Sequence, residues 1–245
     1  MASAAADPQA EVMAALAQPA LHGGNPVRRI DTHAAAVFLA GERAIKIKRA
    51  VRFPFLDYST LEQRKAACEA EIEVNRPLAP RIYRGVVAIT RESDGTFKIG
   101  GRGAPVEWAV DMRRFDDAMT LDKLADRGGI DDALADRLAR AVAAAHRHAP
   151  RIDADAWRAA LARFIDQNDD AFRARPDLFA PAEARQLAAA SRDAFDRLQP
   201  LLRRRGEDGF IRRLHGDLHL GNIALIDGAP VLFDAIEFDP MIAAG

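Results

Sequence analysis

Strand-like and helix-like patterns are segregated along this chain, and that order limits the folds open to it. Short apolar or alternating runs occupy residues 27–32, 36–40, 44–48, 82–89, 97–99 and 106–112. One helical stretch interrupts them, opening at Ser59-Thr60-Leu61-Glu62, which reads as a capping box. It is expected to run to about Arg76, before Pro77. Helical spacing then dominates residues 120–198. Strands gathered first and helices afterwards argue for an α+β fold, because a parallel α/β sheet needs the two to alternate.

A last pair of apolar runs, 223–226 and 231–233, flanks Asp227-Gly228. Asp-Gly between short apolar runs is a strong β-hairpin signal. The surrounding stretch, residues 211–239, reads I-R-R-L-H-G-D-L-H-L-G-N-I-A-L-I-D-G-A-P-V-L-F-D-A-I-E-F-D. Asp217 and Asn222 fall on a loop before the hairpin, and Asp234 closes its far end. A tight hairpin returns the chain to its start, so the three side chains are placed to converge. Two carboxylates and an amide are hard oxygen ligands suited to Mg²⁺. A rival metallohydrolase reading would use the alternating His215, Asp217 and His219 as transition-metal ligands. It lacks a second His/Asp cluster and leaves Asn222 and the hairpin without a purpose.

Composition narrows the field. With 245 residues, the chain has room for one large domain or two lobes. A formal net charge of −1 offers no global field for nucleic acid or an anionic membrane. No apolar run approaches the 18 or so residues of a spanning helix. The start, M-A-S-A-A-A-D-P-Q-A, lacks the basic and apolar segments of a signal peptide. Cys68 is the single cysteine, so no intrachain disulfide forms, and a cytoplasmic setting is inferred. No internal repeat and no G-x-x-x-x-G-K-[ST] phosphate loop is present.

In chain order, residues 1–24 read as an N-terminal extension, frayed over the first ten and helical over 11–17. Lys46 and Lys48 alternate with apolar residues in R-A-I-K-I-K-R, so they share one face of a strand. Glu69, Glu71 and Glu73 lie on the first long helix. Leu134, Leu138 and Val142 recur at four-residue spacing and mark a buried helix face. His146 and His148 close that helix as structural or solvated residues. A further helix is expected over 182–198, ended or bent by Pro200, and Arg203-Arg204-Arg205 reads as a solvated helix end.

The order H-x-D-x-x-x-x-N followed by a later Asp after a strand is similar to that of protein kinases. The wording H-G-D-L-H-L-G-N resembles the aminoglycoside phosphotransferase branch of the kinase-like fold, over residues 27–239. V-F-L-A-G-E-R-A-I-K-I-K-R, F-P-F-L-D-Y-S-T-L-E and V-L-F-D-A-I-E-F-D look like the N-terminal part of bacterial proteins in which this domain precedes a P-loop ATP-binding domain. The resemblance implies a two-lobed protein-kinase-like fold. Its small antiparallel-sheet N-lobe spans 25–115 and its mainly helical C-lobe spans 116–245, with the hinge at 111–115. It implies ATP and Mg²⁺ as cofactors and a small-molecule hydroxyl as acceptor of the γ-phosphoryl group. By resemblance Asp217 is the base and His215 orients its loop, while Asn222 and Asp234 hold Mg²⁺. Lys46, in Ala-x-Lys, contacts the ATP phosphates, with Lys48 left open as the alternative. Glu71, seven residues before Leu78, pairs that lysine, with Glu69 left open beside it. The acidic density over 116–136 suits a cationic acceptor.

The pattern departs from the family in two places. Asp31-Thr32-His33-Ala34-Ala35-Ala36 stands where kinases place G-x-G-x-x-G, and contains no glycine. The family also continues with helices past the metal-binding Asp, so C-terminal truncation is expected here. The alternative function is a non-catalytic kinase-like regulatory module that docks on a P-loop ATPase domain.

Overall fold

The computed structural model describes residues 8–245. Its described residues form two compact units, one reaching up to Val142 and including Asp217–Phe238, the other made of Ala143–Gly216 and Asp239–Gly245. The lobe boundary expected near Asp116 falls inside the first of these units. The architecture is α+β and kinase-like, with an antiparallel sheet and helices gathered after it.

The first unit opens with helix α1 (Pro8–Leu16). Of the ten residues expected to fray, 8–10 are helical, and residues 1–7 lie outside the described residues. The reason is tertiary. Val12 and Leu16, one turn apart, are buried among Phe38, Ile45, Ile47, Ile89 and Ala109, so the supposed extension covers one face of the sheet. That sheet contains β1 (Val27–Asp31), β2 (Ala35–Ala40), β3 (Arg43–Lys48), β6 (Tyr83–Arg91), β7 (Phe97–Ile99) and β8 (Ala104–Arg113). Its order is β1-β2-β3-β8-β6-β7, antiparallel throughout. Residues 49–58 contain a two-residue pairing of β4 (Arg52–Phe53) with β5 (Leu56–Asp57).

Helix α2 (Leu61–Asn75) packs on the opposite face. Thr60 is its N-cap, and Gln63 completes the capping box, one residue later than the sequence reading placed it. The shift follows Ser59, whose hydroxyl donates to Asp57. Leu39, Ala44, Val110 and Met112 meet Cys68, Ala79 and Ile82 on this face. Burial pushes the Cys68 thiol up to about 12, so it stays protonated and packs as a small apolar group. Period-2 alternation assigns β3: Ile45 and Ile47 face the α1 side, while Ala44, Lys46 and Lys48 face the α2 side.

After α3 (Leu121–Asp126) and α4 (Asp132–His148), the second unit contains α5 (Ala154–Arg173) and α6 (Pro181–Glu207). Of the two expectations at Pro200, an end or a bend, the end does not occur: α6 continues through it to Glu207. Proline removes one helical donor, and the helix keeps its path on α5 through packing and charge. Arg192 on α6 reaches Asp166 and Asp169 on α5 at 2.8 and 2.9 Å. Trp157 Nε1 donates to the Ala244 carbonyl, tying the last residues to α5. Among the described residues no helix is long and apolar enough to cross a membrane.

Candidate active site

Lys46 is held between two carboxylates. Its Nζ lies 2.9 Å from Glu71 Oε1 and 2.6 Å from Asp234 Oδ1. Strand β3 aims the lysine at the α2 side, and Glu71 comes from the fully buried face of α2. Glu69 points elsewhere, more than half exposed and 3.6 Å from Lys65. Lys48 joins the same cluster from the same face. Its Nζ is 2.6 Å from Glu71 Oε2, an ion pair without hydrogen-bond angles, and it donates to Glu237. Burial opposes charge on both lysines. For Lys46 the carboxylates of Asp234 and Glu71 outweigh it, and for Lys48 that of Glu71 does, so both pKa values stand well above the ordinary lysine range.

The hairpin forms as Asp227-Gly228 dictates. Strands β9 (Ile223–Ile226) and β10 (Ala229–Leu232) pair antiparallel around that turn. Both turn residues have positive φ, 51° and 78°, the geometry Asp-Gly favours. Phe233 N then donates to the Asn222 carbonyl at 3.0 Å, which closes the hairpin and brings Asn222 back beside the residue preceding Asp234. Asn222 Nδ2 donates to the Asp217 carbonyl at 2.9 Å and to Asp217 Oδ2 at 3.3 Å. The Gly221 N–H donates to His219 Nδ1 at 3.1 Å, so the neutral ring carries its proton on Nε2, 3.8 Å from Asp217 Oδ2. A Cβ at Gly221 would sit 2.9 Å from the His219 ring, so a larger residue there would displace the ring. His215, in the second unit, is buried.

The family model described as the phosphotransferase enzyme family matches residues 51–234, three quarters of the chain. The chain belongs to this family. The matched span of this family member includes Glu71, Asp217, Asn222 and Asp234 and begins after Lys46. An uncharacterised protein of Mycobacterium bovis and one from each of two Mycobacterium tuberculosis strains are 33% identical to it over 213 residues. The match takes in 85% of this phosphotransferase-family chain and 41% of each relative, so the chain spans under half their length.

Several residues of this phosphotransferase-family site were not singled out from sequence. Tyr58 Oη donates to Glu237 Oε1 at 2.8 Å beside Lys48. Burial works against charge on Glu237, yet Lys48 and Lys46 draw its pKa below the usual carboxylate value. Asp234 N donates to Tyr83 Oη at 3.1 Å, and Asp234 itself adopts a left-handed φ of 62°. The next peptide unit is clamped by Asn75, one turn beyond Glu71 on α2. Ala235 N donates to Asn75 Oδ1 at 2.7 Å and Asn75 Nδ2 donates to the Ala235 carbonyl at 3.1 Å. Two lysines on one strand face required more than one carboxylate, and Glu237 in the apolar run A-I-E-F was the available signal. Asn75→Ala strands two buried backbone groups, so it is expected to destabilise the protein by about 1–3 kcal/mol. Chemical denaturation checks this, and a change under about 0.5 kcal/mol counts against the clamp.

Lys46, Lys48, Tyr58, Tyr83, Asp217, Asp234 and Glu237 line one pocket of about 450 Å³ in the first unit, together with apolar side chains. Asp234, on the pocket wall, offers carboxylate oxygens and Asn222 an amide oxygen, the hard donor type that Mg²⁺ takes. Among the described residues no group of three or more His, Cys, Asp or Glu side chains is placed to hold a metal ion.

Proposed function

We propose that this chain is a Mg-ATP-dependent phosphotransferase acting on a small-molecule hydroxyl. The observation that carries the reading is Lys46 held between Glu71 and Asp234 on the pocket wall. Glu71 fixes the ammonium so that it faces phosphate oxygens, whose charge it offsets. Asp217 takes the proton of the acceptor hydroxyl. The acceptor oxygen then bonds to the γ-phosphorus as the bond from that phosphorus to the bridging oxygen breaks, releasing ADP. Asn222 holds Asp217 through its amide, and His219 faces the same carboxylate. Asn222 and Asp234 would hold Mg²⁺, which supplies charge neutralisation to the β- and γ-phosphates when bound.

One observation favours the regulatory alternative. The β1–β2 turn is pinned: Thr32 N donates to the Ala35 carbonyl, and Arg49 donates to the carbonyls of Ala34 and Thr32. A turn without glycine and fastened in this way is a poor phosphate cover. In that reading the chain docks on a P-loop ATP-binding domain, as the wording resemblance suggests.

A thermal shift with Mg-ATP tests the proposal. Ligand at 100 times its dissociation constant stabilises by about 2.7 kcal/mol, roughly 5–11 °C for a chain of this size. The shift is expected in the wild type and absent in Asp234→Ala. No shift in either protein sinks the ATP-binding reading.

A further inference from the structure

Strand β3 lays out the pocket in sequence. Ala44, Lys46 and Lys48 share one face, about 6.6 Å apart. Ala44 belongs to an apolar cluster with Leu39 and Met112, against which Phe115 and Phe233 pack. These line one end of the pocket. Lys46 with Asp234 comes next. Lys48 lies 5.5 Å from the centre of the Tyr58 ring, and Tyr58 packs with Leu56, Ala34 and Phe53. The far end of the pocket is therefore aromatic.

That end carries a continuous row of rings. His33 meets Phe53 edge-on at 6.2 Å, Phe53 stacks on Phe55 at 5.9 Å, and Phe55 meets Phe238 at 6.0 Å. Phe55 and Phe238 are 58% and 38% exposed, so the row is not sealed within the core. Burial that the fold leaves undone at large aromatic side chains inside a concave site marks a ligand surface. The pocket lining does not ask for a cation, because Asp117, Asp217, Asp234 and Glu237 are matched there by Lys46, Lys48, Arg113 and Arg114. If the proposed function holds, the base and phosphates take the stretch from Ala44 to Lys46, and the aromatic row lies beyond the transferred group.

We propose that His33, Phe53, Phe55 and Phe238 form the acceptor-side wall, and that the acceptor presents an aromatic or flat apolar body beside its hydroxyl. This rests on the phosphotransferase reading and departs from the cationic acceptor suggested by the acidic residues of 116–136. Rings offset against rings at these separations add attraction beyond the area they bury.

The test uses 2-phenylethanol as an aromatic alcohol and kanamycin as a polycation, each titrated by saturation-transfer NMR with and without Mg-ADP. Wild-type protein is expected to saturate the ring protons of 2-phenylethanol. In the double variant Phe55→Ala/Phe238→Ala its dissociation constant should rise roughly tenfold, about 1.4 kcal/mol. The Mg-ATP thermal shift should stay at its wild-type value. Because both side chains are exposed, the variant is expected to fold, and its melting curve verifies this. Equal affinity in the two proteins overturns the wall, as does binding of kanamycin without 2-phenylethanol, or no 2-phenylethanol binding at millimolar concentration. A missing Mg-ATP shift instead removes the phosphotransferase reading, and the titration without nucleotide still decides whether the wall binds an aromatic alcohol.

Discussion

Asp217→Asn is expected to fold as the wild type does and to form ADP roughly 10²–10⁴ times more slowly, the range for loss of a general base. The two halves of that result have separate physical origins. Asp217 is more than half exposed at the pocket, so an isosteric amide there costs folding little. The amide keeps an oxygen for the Asn222 Nδ2 contact, so the loop stays in place. What disappears is an oxygen able to take the acceptor's proton. ADP release in a coupled assay with a hydroxyl acceptor gives the rate, and a melting curve gives the stability. Turnover near the wild-type value would remove Asp217 from the chemistry. A lost Mg-ATP thermal shift would mean the substitution damaged nucleotide binding rather than proton transfer.

Glu71→Gln should produce the largest change in stability. Glu71 is fully buried and touches both Lys46 and Lys48. Neutralising it leaves two buried ammonium groups sharing Asp234 and Glu237. Removing one member of a buried ion pair costs about 3–5 kcal/mol, because the remaining charge stays desolvated. For this size that lowers Tm by roughly 6–20 °C. Adding Lys48→Met should recover much of the loss, since it takes away the charge left unmatched. A Tm within about 2 °C of wild type in Glu71→Gln would show that the lysines are held by something else, and the thermal melt reads this directly.

Much of the first unit could be read from residue patterns because its elements carry local signals. The hairpin follows from Asp227-Gly228, and the face shared by Lys46 and Lys48 follows from period-2 alternation. The choice among Glu69, Glu71 and Glu73 could not be made from spacing alone, because all three lie within a little over one turn of a polar helix. Burial separates Glu71 from Glu69, and burial is a tertiary property. Helix α1 was missed in part for the same reason. Its alanines give little amphipathic contrast, and only the i, i+4 pair Val12 and Leu16 marks the buried face. Pro200 worked in the opposite direction: of the end or bend that local propensity allowed there, packing on α5 overrode the end. Asn75 carried no signal, since an asparagine near a helix end usually caps or solvates, and here it reaches 160 residues along the chain.

Helix α2 is pinned twice on the same side. Glu71 fastens it to β3, and Asn75 fastens it to the peptide after Asp234. A rod bolted at two points one pitch apart cannot roll about its long axis without shearing both bolts. Rolling α2 would carry away the lysine anchor and the Asp234 backbone in a single motion, so the two parts of the site disengage together or stay together. The arrangement leaves no intermediate gear in which one is seated and the other loose.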